Sequence, residues 1–380
     1  MQPHCPDVVY LDNAASTPLL PAVLAELPRL RADAFANPAS AHAAGRRLRP
    51  LLQRADQVFA HAAGADVDVV WTSGGTEANN LAILGLPAAG RTGAGLRLVT
   101  TATEHPSIDA PMQHLAEAER LVVPVDDRGQ LDADALAAAL TPDTDLVALH
   151  LVQNETGVVQ DLPRVRRLMD EHAPRARLHV DAVQALGKLP LPWQTARIDT
   201  AAVSAHKAHG PGGVGALLLR PGTELAAILR GGGQQHNRRS GSLDVAGILA
   251  FARAVELLQT DTDLPERAST LNHRLRRGLE ELPANVYMIT PENASPFICT
   301  FALPACEGAV LLRMLSDRRI MVSTGSACSA NRTGPSPVLT AMGVPAQTAF
   351  GALRVSFGQQ NTVADVDALL TALRDAVTNY

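Results

Sequence analysis

The sequence predicts an α/β protein: a large domain on a mostly parallel central sheet, followed by a smaller α+β domain. Three observations carry this. Short β-rich runs alternate with helical patterns from about Val67 to Leu219, as in sheets with helical crossovers. Most of the runs are apolar along their length, which marks strands buried on both faces. Near residue 261 the order of elements changes, and Asp, Thr and Pro cluster within Thr260–Pro265, marking a boundary.

The predicted strands of the first part are Val67–Thr72, Arg97–Thr101, Leu121–Val125, Asp145–Val152, Arg177–Val180, Thr200–Val203 and Val214–Leu219. Helical patterns at Thr76–Leu86, Ser107–Ala118, Asp132–Leu140 and Asp161–His172 separate most of the earlier ones. Two long helical patterns follow, Ser242–Leu258 and Pro265–Leu282. Beyond them come strands at Val286–Thr290 and Phe297–Ala302, a helix at Glu307–Asp317 and a strand at Ile320–Ser323. A strand at Leu353–Phe357 and a helix at Val363–Val377 close the pattern.

Composition excludes several classes. The chain has 380 residues, 46% hydrophobic and 19% charged, which is globular and long enough for two domains. Its net charge, 33 − 38 = −5, argues against direct nucleic-acid binding. No apolar stretch reaches the roughly 18 residues of a membrane span, and Met1–Tyr10 has no export pattern. Cys5, Cys299, Cys306 and Cys328 form no metal-ligand spacing, so no metal is expected; free thiols without a leader point to the cytoplasm. Of the 33 basic residues only Lys188 and Lys207 are lysines. Chemistry that needs an amine therefore has two candidates. The arginine groups (Arg46/Arg47/Arg49, Arg164/Arg166/Arg167, Arg238/Arg239, Arg274/Arg276/Arg277) read as solvated faces.

Three segments carry chemistry. Thr72-Ser73-Gly74-Gly75-Thr76-Glu77 ends a strand and opens a helix, which suits either an anion cradle or a plain helix start. Asp181, in His179-Val180-Asp181-Ala182, stands at the carboxyl end of a strand, where open α/β sheets bind ligands. It suits a helix cap, or a partner for a protonated ring nitrogen of the pyridoxal phosphate kind. Lys207, in Ser204-Ala205-His206-Lys207, leaves an apolar strand for a glycine-rich turn. A partly desolvated amine there loses basicity and becomes a Schiff-base nucleophile. Lys188 follows a helix and reads as an ordinary solvated lysine.

These segments belong to a longer ordered set. It includes Tyr10–Thr17, Thr72–Asn79, Glu104-His105-Pro106, Gln153-Asn154-Glu155-Thr156-Gly157 and Asp181–Gln184. It continues with Ser204–Lys207, Gly231-Gly232-Gly233-Gln234, Arg239-Ser240-Gly241-Ser242 and Gly325-Ser326-Ala327-Cys328. In this the chain resembles the pyridoxal-phosphate cysteine desulfurases of the nitrogen-fixation and iron–sulfur-cluster type, within the class V aminotransferase superfamily. The resemblance runs from residue 10 to Gly358. It implies a fold-type-I PLP-dependent transferase, with residues 16–260 as the large cofactor-binding domain. Residues 1–15 and 261–380 would form the small domain that carries the catalytic cysteine.

The resemblance also implies roles. Lys207 would hold the cofactor, pyridoxal 5′-phosphate; Asp181 would pair with its ring nitrogen, Gln184 with its phenolic oxygen, and His105 would stack on the ring and move protons. A core histidine is the bland alternative for His105. Gly75, Thr76, Ser204 and His206 would hold the phosphate, completed by Ser242 of a partner in a homodimer. Asn154, Arg354 and Asn13 would bind the substrate, L-cysteine; for Arg354 a surface cation is the alternative. Cys328, in a polar, turn-rich segment read as mobile, would take the sulfur as a persulfide and pass it to an acceptor protein. Asn331-Arg332-Thr333-Gly334 departs from the family pattern and leaves the acceptor open among iron–sulfur cluster assembly, tRNA thiolation and DNA phosphorothioation. A selenocysteine lyase or class V aminotransferase would share the lysine and aspartate without needing Cys328. A non-catalytic docking subunit would have no need of Lys207, Asp181 or Cys328.

Overall fold

In the computed structural model, which describes residues 8–90, 95–115, 117–324, 334–378 and 380, the chain opens with β1 (Val9–Tyr10). Three helices follow: α1 (Pro21–Asp33), α2 (Ala43–Arg46) and α3 (Arg49–Ala63). No helix is expected from the sequence before Val67. Pro21 and Pro50 occupy first turns, where proline is tolerated, and Pro28 lies inside α1, so prolines that usually signal loops are here within helices.

The alternating region then runs β2 (Asp68–Thr72), α4 (Gly75–Gly90), β3 (Arg97–Thr101), α5 (Pro106–His114), β4 (Glu119–Val123), α6 (Ala133–Ala139) and β5 (Leu146–His150). It continues with α7 (Leu162–His172), β6 (Arg177–Asp181), β7 (Thr200–Ser204) and β8 (Gly215–Leu219). These seven strands order as β2-β8-β7-β6-β5-β3-β4. Only β8 runs against its neighbours, β2 and β7; the other pairings are parallel. β4 ends before the predicted Val125, because Pro124 has no N–H for the ladder.

Strand periodicity explains the layers. Leu146 and Ala148 of β5 enter one apolar cluster with α4 and α5, whereas Val147 and Leu149 enter another with α3, α6, α7 and α8 (Val245–Thr260). Both faces of the sheet are thus covered, which is why its strands lack polar alternation.

A second unit of packing follows: α9 (Leu264–Glu280), β9 (Tyr287–Met288), β10 (Ile298–Ala302), α10 (Gly308–Asp317), β11 (Ile320–Met321) and β12 (Ser323–Thr324). It ends with α11 (Pro337–Ala341), α12 (Ala346–Phe350), β13 (Ala352–Ser356) and α13 (Val363–Thr378). An antiparallel sheet, β12-β13-β10-β9, shares a cluster with Leu11 and the apolar faces of α9, α10 and α13. The single strand predicted at Ile320–Ser323 is two: β11 pairs in parallel with β1, and β12 pairs with β13. No helix among the described residues is long and apolar enough to cross a membrane.

Under the large sheet, Phe251 packs edge-on against Phe59 at 4.8 Å between centroids, and Phe59 against Trp71 at 5.0 Å. Phe251→Ala is expected to cost about 3–5 kcal/mol by opening a cavity in this cluster. A denaturant midpoint equal to that of the wild type would show that the aromatic cluster does not support the sheet.

Candidate active site

The parallel strands end together on one edge of the large sheet, and a cavity of about 420 Å³ opens there. That size suits a small cofactor or substrate. A larger cleft of about 1110 Å³ lies between α9 and residues 288–296 but contains none of the predicted site residues. Gly75, Thr76, His105, Asn154, Asp181, Gln184, Ser204, His206 and Lys207 all line the smaller cavity.

Lys207 ends the short turn after β7, and its Nζ donates to the carbonyls of Ala14 and Ala15 at 2.5 and 2.7 Å. Ser204 Oγ and His206 Nδ1 are 2.8 Å apart. Burial, then the Lys207 and Lys188 charges, push His206 down to about 4. Opposite stands the start of α4. A Cβ on Gly75 would meet Val183 Cγ2 at 2.6 Å, so only glycine lets this turn approach so closely. Glu77 accepts from the Ser73 N–H at 2.7 Å and from Arg239 Nε at 2.6 Å. Burial raises this carboxyl, but the Arg239 and Ser73 hydrogen bonds outweigh it and hold Glu77 below its usual range.

Asp181 ends β6, in register with His150 of β5. Its Oδ2 accepts from Asn79 Nδ2 at 2.8 Å and its Oδ1 from the Val183 N–H at 3.0 Å. Asn79 is fully buried and also reaches Ser107 Oγ (2.8 Å) and His179 Nε2 (3.0 Å). Ser107 in turn contacts His105 Nδ1, by Oγ at 2.7 Å and by its N–H at 3.1 Å. Burial pushes His179 down to about 4, so it is neutral.

His150, a cavity-lining residue that sequence reading left inside an apolar strand, lies with Nδ1 2.9 Å from Glu104 Oε1. The approach is not aligned as a hydrogen bond, so the attraction is electrostatic. Burial opposes charge on His150, but Glu104, with Asp181, outweighs it and raises the imidazole above its ordinary value. A histidine in a strand of aliphatic residues was the available signal.

Gln184 donates from Nε2 to the Ala14 carbonyl at 2.9 Å, and its Oε1 accepts from Lys188 Nζ at 3.4 Å. Lys188 is therefore not the solvated lysine the sequence suggested: it is buried behind Gln184. Burial, then the Lys207 and Arg354 charges, push its amine down to about 7. Arg354, on β13, is buried as well and is no surface cation. Its Nη2 meets Asp12 Oδ1 at 2.8 Å, and its Nη1 donates to the Asn154 carbonyl at 2.9 Å. It thus stands behind Asn154 and does not itself line the cavity.

Two predicted residues fall elsewhere. Asn13 is fully buried, donates to the Ser356 carbonyl at 2.8 Å and does not line the cavity. Ser242 is exposed on the segment before α8 and lies outside the cavity lining. Cys328 and the rest of residues 325–333 lie outside the described residues, as does Cys5. Cys299 is buried in β10, and burial pushes its thiol up to about 11. Glu155, next to Asn154, accepts from Ser336 Oγ at 2.6 Å; burial, opposed by that bond and by Arg354, lifts it to about 7.

The arginine groups are not simply solvated faces. Arg166 is buried against Asp170 (2.8 Å), Arg238 meets Asp68 (2.8 Å), and Arg276 binds Asn272 Oδ1 (2.8 Å) and the Thr290 carbonyl (2.9 Å). Helical spacing alone does not show that a neighbouring element brings an acceptor.

The groups around the cavity fit a phosphorylated pyridine aldehyde: one lysine amine, a strand-end carboxylate, the Ser204 hydroxyl and His206 imidazole after β7, and the Thr76 hydroxyl and helix N–H groups at the start of α4. A doubly covered α/β sheet with a lysine-centred cavity on its carboxyl edge is the class that fold and site define. Residues 9–369 match the family Aminotransferase class-V, and the chain belongs to that family. It is 36% identical over 371 residues to cysteine desulfurase IscS of Dictyoglomus turgidum, covering 96% of this chain and 93% of that protein. A solved NifS-like protein superposes with a TM-score of 0.91 at 31% identity, covering 98% of this chain and 100% of the other. SspA in complex with cysteine superposes with a TM-score of 0.80 at 30% identity, covering 92% and 98%.

Lys188 supplies a test of site electrostatics. Its folded value of about 7 lies below the 10.5 of an exposed lysine. Between those limits the unfolded chain binds more protons, so stability rises with pH across that window. Lys188→Met is expected to flatten this rise, measured as unfolding free energy at several pH values from neutral upward. Equal slopes in the two proteins would show that the amine is not buried.

Proposed function

We propose that this chain is a pyridoxal-phosphate-dependent cysteine desulfurase that converts L-cysteine to L-alanine and keeps the sulfur as a persulfide on Cys328. The observation that carries the reading is Lys207 in one cavity with Asp181, Gln184, His105 and the start of α4, in a chain alike along its length to proteins named cysteine desulfurase.

Pyridoxal phosphate, when bound, supplies an electron sink for the Cα of an amino acid. Lys207 Nζ would hold it and would take the Cα proton of cysteine. Asp181 would keep the ring nitrogen protonated, and its two hydrogen bonds fix the carboxylate for that task. Gln184 has a second N–H beyond the one given to Ala14 and offers it to the phenolic oxygen. Gly75, Thr76, Ser204 and His206 bind the phosphate, with Ser242 of a second subunit completing the cradle in a homodimer. Asn154, with Arg354 behind it, orients the substrate carboxylate, and Asn13 braces that end of the site. His105 moves a proton near the substrate sulfur. The Cys328 thiolate attacks that sulfur: the carbon–sulfur bond breaks, a sulfur–sulfur bond forms, and alanine leaves. An acceptor protein in the cytoplasm then takes the sulfur. Residues 16–260 act as the cofactor domain, and residues 1–15 and 261–380 as the domain that carries Cys328.

Purified protein is expected to be yellow, and borohydride reduction should fix the cofactor on Lys207; label on Lys188 would overturn the site. Cys328→Ser should keep cofactor binding and the spectral change with cysteine yet lose alanine release and persulfide. Mass spectrometry without reductant checks this, and extra sulfur on Cys299 or Cys306 counts against the assignment. Ser242→Ala should weaken cofactor affinity several-fold in a dimer seen by sedimentation. A fully active, cofactor-saturated monomer would refute the shared site.

A further inference from the structure

The hydrogen bonds behind the cavity have only one consistent direction. A backbone N–H can only donate, so the Ser107 N–H at 3.1 Å requires a lone pair on His105 Nδ1. The Ser107 hydroxyl, 2.7 Å from that same nitrogen, must then donate to it as well. With its hydrogen committed, Ser107 Oγ can only accept from the Asn79 side chain at 2.8 Å, which places the amide nitrogen there.

The other end gives the same answer independently. Asp181 Oδ2 lies 2.8 Å from Asn79. A flipped amide would set two oxygens against each other at that distance. The Asn79 oxygen is left for His179 Nε2 at 3.0 Å, so that nitrogen carries the hydrogen of neutral His179. His179 Nδ1 then accepts from Thr200 Oγ1 at 2.9 Å. Asp181 and the Ser107 N–H thus fix opposite ends of one chain, and nothing in it is free to reverse.

We infer that Asn79 and Ser107 are positioning residues that hold His105 as its Nε2–H tautomer and tie that tautomer to the orientation of Asp181. Neutral His105 therefore carries its hydrogen at Nε2 and cannot accept there without breaking the chain. Within the proposed reaction, on which only the kinetic part of this inference rests, His105 enters as an N–H hydrogen-bond donor near the substrate sulfur. Asn79 couples it to the carboxylate that serves the cofactor ring. Asn79 is fully buried and Ser107 nearly so, which removes water as a competing donor.

Nitrogen NMR of uniformly labelled protein, with and without added pyridoxal 5′-phosphate, distinguishes the tautomers directly. The signal missing in His105→Gln identifies His105 among the 12 histidines. The expected spectrum has bare Nδ1 and protonated Nε2; a protonated Nδ1 in the wild type overturns the inference. In Ser107→Ala the backbone N–H still claims the Nδ1 lone pair, so the tautomer should persist, whereas the link to Asn79 is cut and kcat for alanine release should fall about tenfold with KM changed less than twofold. Ser107→Thr, which keeps the hydroxyl, should restore kcat. A Ser107→Ala enzyme with wild-type kinetics refutes the coupling. Should that variant not fold, the wild-type spectrum still decides. A protein that releases no alanine but shows Nε2–H His105 refutes the desulfurase reading and upholds this inference. One that desulfurates with Nδ1–H does the reverse.

Discussion

A carboxylate held mostly out of water must be given hydrogen bonds by the protein, and Asp181 sets that condition for the whole site. It stands at the end of β6 because the strand is buried on both faces and cannot turn its last side chain outward. Two donors hold it, one from its own backbone turn and one from Asn79 on α4. The second donor fixes α4 against the sheet edge, and with it the helix start that faces Ser204 and Lys207. Packing and polarity therefore cannot be separated here: the helix that fills one face of the sheet also supplies the amide that the carboxylate requires.

The charges around the cavity follow the same logic. Two amines, Lys188 and Lys207, and the Arg354 guanidinium lie close together, and each is answered by oxygen: Gln184 for Lys188, the Ala14 and Ala15 carbonyls for Lys207, Asp12 for Arg354. Burial, and then the neighbouring cations, depress Lys188 and His206, neither of which has a carboxylate partner among the described residues. On the far wall Glu104 does the opposite for His150, favouring its charge.

Much of this was legible in the sequence because the relevant signals are local. Apolar strands declare burial on both faces, and the glycines at 74 and 75 declare a close approach. Lys207 and Asp181 stand at strand ends, so their placement followed from strand prediction alone. What was not legible depends on neighbours far along the chain. Lys188 looks exposed because Gly187 and Pro190 flank it, yet Gln184 and Leu258 cover that turn. His150 gave no hint of its partner, since Glu104 comes from a loop beyond β3. The strand at 320–324 divides because two different partners take its halves, which periodicity cannot reveal. Helices α1 and α3 were hidden by prolines that first turns accept.

The segment from Val9 to Thr17 binds both units of packing. β1 pairs with β11, Asn13 reaches Ser356, Ala14 and Ala15 receive Lys207, and Thr17 meets the His206 carbonyl. Asn13 and Ser356 are 343 positions apart. During synthesis the large sheet is complete long before the ribosome has made β13, so the first dozen residues emerge without their pairing strands. Closing so long a loop is entropically slow. Asn13 therefore meets Ser356 only once β13 has been made, whereas Ala14, Ala15 and Thr17 take their partners from residues 184–207, so one short segment is tied to an early and a late part of the chain.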